Sequence, residues 1–394
     1  MLTLDRIYQA AHVLKDCVRK TDIIPCGNDL YLKTENLQVT GSFKVRGAYF
    51  KIAMLSEEEK AKGIIACSAG NHAQGVALAA QRLGIKASIF IPNIAPLSKI
   101  EATKKMGADI KLVDGVYDDA YDAAVAHQQE SGGVFIHPFD DTDVIAGQGT
   151  IGLELLDQIS GLDAIVVPVG GGGLISGVAF AIKKLNPDIK VYGVQAAGAG
   201  SMYSSLENNE RTDLNQVSTF ADGIAVKSPS TATFELCSQY VDKIVTVSDD
   251  EIATAILTLM EQQKLVAEGA GAVAFAALLF NKLPIEGKKV CAVVSGGNID
   301  VNILSRVINR GLLTTGRLSE LTIEMLDKPG QLKEVSAIIA DMGANVTKVL
   351  HNPGGENTDI NGCYLHISME TKNKEHFQAV KQAIQDAGYR ISNG

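Results

Sequence analysis

The sequence predicts an α/β fold of two lobes, each built on a parallel or mixed sheet, followed by a small ferredoxin-like domain. From about residue 60 to 312, short β-branched runs alternate with helical patterns, which is typical of parallel sheets covered by helices on both faces. After residue 320 the order changes to β-α-β-β-α-β within about 75 residues, which predicts the ferredoxin-like domain.

The first region opens with an amphipathic pattern over residues 1–16, which predicts a helix. So many crossovers would crowd a single sheet, so we expect a small lobe, about residues 49–142, inserted in a larger one. A capping box at Ser248 and Glu251 predicts the start of a later helix. The strands are expected at Gly63–Cys67, Ala87–Ile91, Asp109–Val113, Val134–His137, Asp163–Val169, Lys190–Gln195, Lys243–Val247 and Lys289–Val294.

The second region is expected to follow a linker at residues 313–319, where the sequence is polar and punctuated by glycine. This places one region at residues 1–312 and the other at 320–394. Gly343 stands where a glycine commonly ends a helix. The strands of the second region are expected at residues 321–327, 344–352, 363–371 and 389–392, with helices between the first and second and between the third and fourth.

Composition excludes several classes of function. The chain has 394 residues, with 45 acidic against 36 basic and a net charge of −9, and no basic cluster suggests nucleic acid or membrane as a partner. Its apolar runs are too short for a membrane span, and its first residues lack the order of a secretion signal. The six cysteines are scattered without a C-x-x-C pair, so we expect free thiols, no metal site and a cytoplasmic location.

Four consecutive glycines, Gly170 to Gly173, follow a predicted strand and precede a helical pattern. Their amides can approach an anion closely, and the helix N-terminus adds a favourable dipole, so the segment predicts a phosphate site. A tight strand-to-helix turn is the simpler interpretation. A nicotinamide dinucleotide fits poorly, because the next strand ends in Gln195 and not in the acid that binds a ribose.

Lys44 stands between Phe43 and Val45 after a Gly-Ser turn. A lysine that forms a Schiff base must be partly desolvated, so that the neutral amine is accessible. Taken alone, a surface position is the default interpretation for this lysine.

Two further turns follow predicted apolar strands. At the first, Ser68, Ala69, Gly70 and Asn71 offer amides and hydroxyls that suit a carboxylate, although helix capping explains the same residues. His72 beside them is either a base or, more commonly at a helix start, a structural residue. At the second, the hydroxyl of Ser295 is suited to a ring nitrogen, or simply to a turn.

Taken in this chain order, SFKVRGA, SAGNHAQG, GGGGLISG and VVSGGN resemble the fold-type II pyridoxal-phosphate enzymes, in particular the threonine and serine dehydratases. The resemblance covers residues 1 to about 312 and includes IHPFDD and IAGQGTIGLEL. The C-terminal region, with its LDKPGQL turn, is similar to an ACT domain, an amino-acid-binding regulatory module.

The resemblance implies pyridoxal 5′-phosphate as cofactor, with Lys44 as its covalent anchor and the catalytic base and Phe43 packed on its ring. Asn71 would bind the ring oxygen and Ser295 the ring nitrogen. The phosphate would bind Gly170, Gly171, Gly172, Gly173 and the Leu174 amide. The substrate would contact Ser68, Ala69, Gly70 and His72, and an effector would contact Asp327, Pro329 and Gly330.

The function implied is the dehydration and deamination of L-threonine to 2-oxobutanoate and ammonia, and of L-serine to pyruvate. The C-terminal domain implies allosteric control by an amino acid such as isoleucine or valine, as in isoleucine biosynthesis, in a homodimer or homotetramer. The neutral Ser295 favours elimination, because an aspartate there would keep the ring nitrogen protonated, as transamination requires.

Three alternatives stay open at this point. A serine racemase would need a second acid or base where this chain has Ala69, and a divalent metal where it has Gln195, Ala199 and Ser201, none of which is a carboxylate. A β-replacement enzyme such as cysteine synthase would leave the C-terminal domain without a role. A non-catalytic amino-acid sensor would not need Lys44.

Overall fold

The computed structural model describes residues 1–353 and 360–392, and the described chain divides into two compact units, Met1–Val301 and Asn302–Gly394. The predicted α/β class with a C-terminal ferredoxin-like domain is confirmed. No helix among the described residues is long and apolar enough to cross a membrane.

The strands of the first unit, in chain order, are β1 Ile23–Gly27, β2 Leu30–Lys33, β3 Ile64–Cys67, β4 Ala87–Pro92, β5 Asp109–Val113, β6 Val134–Phe135, β7 Ala164–Pro168, β8 Lys190–Ala196, β9 Lys243–Val247 and β10 Val290–Val293. Its helices are α1 Leu4–Leu14, α2 Lys44–Ala53, α3 Glu57–Lys62, α4 Asn71–Leu83, α5 Leu97–Lys104, α6 Tyr117–Ser131, α7 Thr142–Gln158, α8 Gly173–Leu185, α9 Ser201–Glu207, α10 Thr231–Tyr240, α11 Asp249–Thr258 and α12 Gly269–Leu279.

Two sheets form the first unit, whose residues are all described. The larger has the order β1-β2-β10-β7-β8-β9 and is parallel except for the antiparallel pair β1 and β2. The smaller, β5-β4-β3-β6, is entirely parallel. Because parallel strands present their carboxyl ends at one edge, β7 and β10 deliver the turns at Gly170 and Ser295 to the same side of the larger sheet.

The strands β1 and β2 were not predicted from the sequence. Both are short, and β1 lies at the edge of the sheet, contains Pro25 and is only partly buried, so neither a continuous apolar run nor a clean alternation marks them. The other strands of this unit lie where the apolar runs predict them, within two residues at each end.

The second unit has the predicted β-α-β-β-α-β order after an initial helix. Its elements are α13 Val301–Thr314, β11 Leu318–Leu326, α14 Gln331–Asp341, β12 Asn345–Pro353, β13 Gly362–Glu370, α15 Lys374–Asp386 and β14 Arg390–Ser392. The sheet is antiparallel, in the order β12-β13-β11-β14. Gly343 ends α14 with a φ of 77°, as predicted.

The boundary between the units differs from the sequence expectation. The division falls at residues 301 and 302, whereas the sequence favoured 312. The expected linker at 313–319 is the end of α13 and the start of β11, with Thr315–Arg317 between them. Thr314, Thr315 and Arg317 are exposed, whereas Ser319 is buried in β11. Gly316, with a φ of 69°, makes the turn.

Candidate active site

Three of the four predicted motifs meet beside α2. The amide of Phe43 donates to the carbonyl of Ser295 at 3.1 Å, and Ser42 forms a bridge with Gly296. On the other side α4 packs so closely that a Cβ on Gly75 would lie 3.1 Å from the Val45 amide nitrogen. The lysine segment is therefore held between the turn after β10 and the helix that follows β3.

The Lys44 amine sits in this enclosed position. Its Nζ donates to the carbonyl of Pro138 at 2.9 Å and lies 5.3 Å from the centre of the Phe43 ring. Burial lowers the pKa of Lys44 to about 8, although the nearby Glu268 carboxylate acts in the opposite direction. A substantial neutral fraction is thus available near neutral pH, as a nucleophilic or basic lysine requires.

Asn71 belongs to a chain of polar side chains. Its Nδ2 donates to Glu268 Oε1 at 2.6 Å, and its Oδ1 accepts from Asn298 Nδ2 at 2.7 Å. The same Asn298 Nδ2 also donates to the carbonyl of Thr40 at 2.8 Å. Asn71 begins α4 without capping it through its side chain, so the amide is directed into the site, and the capping interpretation is not supported for this residue.

Sequence reasoning missed Glu268 and gave no role to Asn298. Glu268 is 5% exposed, and burial, followed by the charge of Asp222, raises the pKa of its carboxyl group to about 7. A glutamate just before the small-residue helix α12 was the available signal. It resembles an ordinary residue at a helix start, and only the fold shows that it is buried beside Asn71.

The four glycines join β7 to α8 as predicted. Gly172 has a φ of 94°, which favours glycine. A Cβ at Gly171 would lie 2.6 Å from the Phe139 ring, and a Cβ at Gly173 would lie 2.8 Å from Phe139 Cβ. The first amides of α8 have no acceptor within the helix, so this backbone can receive an anion where a side chain would not fit.

The turn after β3 is also near the lysine. Ser68, Ala69 and Gly70 are half-buried, and the Gly70 amide donates to Ser68 Oγ at 3.1 Å. His72 is 3% exposed, and its Nε2 lies 2.7 Å from the carbonyl oxygen of Ile136. Burial lowers the pKa of His72 to about 3, so the ring is neutral and the geometry favours a structural role for it.

Ser295 follows β10 and is 2% exposed. Its Oγ donates to the carbonyl of Ala270 over 3.4 Å, a long distance for a hydroxyl donor. The hydroxyl is therefore weakly engaged and can turn to another acceptor.

These groups fit a phosphorylated aldehyde cofactor. The glycine backbone accommodates a phosphate, the Lys44 amine suits an aldehyde, and the amide of Asn71 and the hydroxyl of Ser295 suit polar atoms of a ring.

The comparisons agree with this chemistry. Residues 15–296 match the model of the pyridoxal-phosphate dependent enzymes, and residues 319–388 match the ACT domain. The chain therefore belongs to the pyridoxal-phosphate dependent enzyme family, and it carries an ACT domain at its C-terminal end.

Three similar proteins are an ammonia-lyase, a deaminase and a racemase. The L-threonine ammonia-lyase of Thermotoga maritima is 50% identical over 99% of both chains. The processed form of threonine deaminase isoform 2 from Solanum lycopersicum is 38% identical, with a TM-score of 0.74 over 79% of this chain and 95% of its own. Maize serine racemase is 35% identical, with a TM-score of 0.74 over 79% of this chain and 98% of its own.

Proposed function

We propose that the chain is a threonine ammonia-lyase that converts L-threonine to 2-oxobutanoate and ammonia, and L-serine to pyruvate. The observation that carries this proposal is the half-buried Lys44 amine, which donates to the carbonyl of Pro138 at 2.9 Å. Its pKa of about 8 suits covalent and proton-transfer work. The identity to the Thermotoga enzyme supports the choice of substrate.

The residues that would hold pyridoxal phosphate follow from the contacts already described. Lys44 would bind its aldehyde, and Gly170 to Gly173 with the Leu174 amide would bind its phosphate. Asn71 would donate to its ring oxygen, Ser295 would meet its ring nitrogen, and Phe43 would pack on the ring. When bound, the cofactor supplies a conjugated ring that withdraws electrons from the substrate Cα.

The chain's own groups would then do the proton chemistry. Lys44 would be the base that takes the α-proton, because its neutral form is accessible near neutral pH. Ser68, Ala69 and Gly70 would orient the substrate carboxylate through the turn after β3. The neutral Ser295 hydroxyl would not hold a proton on the ring nitrogen as a carboxylate would, and this would favour elimination over transamination.

The test compares the wild type with Lys44→Ala. We expect the substitution to abolish formation of 2-oxobutanoate and pyruvate, together with the visible absorption band of the lysine-bound cofactor. Lys62→Ala is the matched control, since Lys62 is a surface lysine paired with Glu58, and it should keep both. Turnover by Lys44→Ala at the wild-type rate would refute the proposal. A colourless wild type would favour the alternative of a non-catalytic amino-acid sensor.

Serine racemization is the second candidate, because maize serine racemase shares this fold at 35% identity. Racemization needs a proton donor on the substrate face opposite Lys44. Ala69, in the turn that would hold the carboxylate, has no ionizable atom. Chiral chromatography after incubation with L-serine should therefore show pyruvate and no D-serine, and accumulation of D-serine would reverse this choice.

For the ACT domain we propose binding of an amino-acid effector such as isoleucine or valine. Helix α14 begins after Gly330, which has a φ of 98° and provides no side-chain cap, so the first amides of the helix are available to a carboxylate. Asp327 and Pro329 lie in the turn before it. Equilibrium dialysis of the full chain with labelled isoleucine should show binding that excess valine competes away, and absence of binding would contradict the assignment.

We also propose a homodimer or homotetramer in solution. The strand β12 lies at the edge of its sheet and has mostly exposed residues. We expect two ACT domains to pair side by side along such an edge. Light scattering of the purified chain should give two or four times the mass of 41.8 kDa.

A further inference from the structure

A cluster of three possible metal ligands lies within the second unit. Asp327, His351 and Cys363 each offer one ligand atom, and these atoms all lie within 4.8 Å of one another. The closest pair is His351 Nε2 and Asp327 Oδ1, at 3.3 Å. The cluster lies outside the proposed active site and includes one residue of the proposed effector turn.

The sheet register explains why these residues meet. In the centre of the cluster, Cys363 of β13 is paired with Met325 of β11 on one side and with Pro353 of β12 on the other. Asp327 follows Met325 by two positions and His351 precedes Pro353 by two. Because side chains alternate across a sheet with a period of two, His351 and Cys363 project from the same face. Asp327 comes directly after the end of β11, and its carboxylate lies beside them.

The three side chains differ in burial: the cysteine is buried, and the histidine and aspartate are exposed. Cys363 is 1% exposed and belongs to the hydrophobic core under the helices. The side chains of His351 and Asp327 are 44% and 54% exposed. A metal ion among them would have its sulfur ligand on the protein side and its open coordination position toward solvent.

We propose that Asp327, His351 and Cys363 bind a divalent transition-metal ion of the zinc class. A thiolate, an imidazole and a carboxylate are the ligand types that Zn²⁺ takes in proteins, at about 2.0–2.3 Å. The sulfur ligand disfavours Mg²⁺ and Ca²⁺, which prefer oxygen. Binding releases the thiol proton of Cys363 to solvent, and the fourth position stays with water or another exchangeable ligand.

This site has no signature in the sequence, because Asp327 follows β11, His351 lies in β12 and Cys363 lies in β13, and no short spacing links the three. A simpler explanation of the same geometry is an ion pair between His351 and Asp327 in front of a core cysteine. The two explanations differ in whether zinc binding depends on the cysteine.

The test uses the full-length holoenzyme, stripped with a chelator and dialysed against low micromolar ZnCl₂. Zinc per chain is then measured by inductively coupled plasma mass spectrometry. We expect one zinc per wild-type chain, and at least a tenfold loss of affinity in Cys363→Ser and in His351→Gln. Cys26→Ser and His12→Gln, which change a half-buried cysteine and an exposed histidine of the first unit, are the matched controls and should retain the ion.

Cobalt gives a second readout. Replacement of zinc by Co²⁺ should add a thiolate-to-cobalt charge-transfer band to the difference spectrum of the wild type, and the band should be absent in Cys363→Ser. If Cys363→Ser disturbs the core, the partly exposed His351→Gln still tests the site. Zinc content that is equal in the wild type and both ligand variants, or no bound zinc in the wild type, would overturn the proposal.

Discussion

At the scale of single residues, the carboxylate of Glu268 links the geometry of the site to the stability of the fold. It is buried, lies 2.6 Å from the Asn71 amide, and would be expected to position that amide without touching the substrate. A Cβ on Gly296 would lie 2.3 Å from Glu268 Oε1, so the backbone holds the carboxylate closely. Its protonation state therefore affects both the geometry of Asn71 and the stability of the fold.

The first prediction concerns pH. Burial raises the pKa of Glu268 from 4.5 to about 7, so between these values the folded chain holds a proton that the unfolded chain releases. The stability associated with this group is fully present below pH 4.5 and is lost as the pH rises through about 7. Glu268→Gln is neutral at every pH, so its free energy of unfolding relative to the wild type should rise by about 2–3 kcal/mol between pH 5 and 8.

Urea denaturation of the two proteins at both pH values measures this difference, because all other titrating groups are common to both. Glutamine keeps an oxygen that accepts from Asn71, so the network itself survives. A difference that stays constant with pH would show that Glu268 ionizes normally.

At the scale of elements, the position of Lys44 depends on how α2 is fixed. Arg46, in the first turn of α2 and 1% exposed, forms ion pairs with Glu35 at 2.7 Å and with Glu154 of α7 at 2.6 Å. Near these ion pairs the helices α2 and α7 cross with their backbones in contact, since a Cβ on Gly147 would lie 2.6 Å from the Cα of Gly47. The two contacts determine the start of α2, where Lys44 stands.

The second prediction tests this crossing with Gly147→Ala. In an exposed helix this change stabilizes by about 1 kcal/mol. Here the added methyl group would overlap the backbone of α2, so we expect a loss of about 1–3 kcal/mol in the free energy of unfolding and reduced turnover as Lys44 shifts. Urea denaturation and steady-state rates check it, and a more stable, fully active variant would disprove the close crossing.

The same elements show how far the sequence could predict the molecule. Strands such as β7 and β10 can be located because their apolar runs mark them, and the glycine and serine turns can be found because they follow such runs. The lysine segment follows no predicted strand, and its role is implied by its resemblance to the family motif. The hydrogen bond between Asn71 and Asn298 joins residues that are 227 positions apart, and the burial of Glu268 depends on the packing of α12. Neither has a local signature, so both needed the structure.

At the scale of the whole molecule, the two compact units carry separate cores. Ile323, Leu365 and Val380 belong to the core of the second unit, whereas Ile165 and Val293 belong to one of the cores of the first. The proposed catalytic groups all lie before residue 301, and the proposed effector turn lies after it. Catalysis and its regulation should therefore be separable by truncation.

The last prediction removes residues 302–394. Because both sheets of the first unit and all the proposed cofactor contacts remain, we expect the shortened chain to retain the cofactor band and to form 2-oxobutanoate from threonine. In the full chain, isoleucine should raise the threonine concentration needed for half-maximal rate by about fivefold or more, which corresponds to a coupling free energy of about 1 kcal/mol. The shortened chain should lack this response, because the amides that would bind the effector are gone.

Rate measurements over a range of threonine concentrations, with and without isoleucine, separate the outcomes. An equal isoleucine effect in both proteins would place the effector in the first unit, and no effect in either would limit the ACT domain to a structural role.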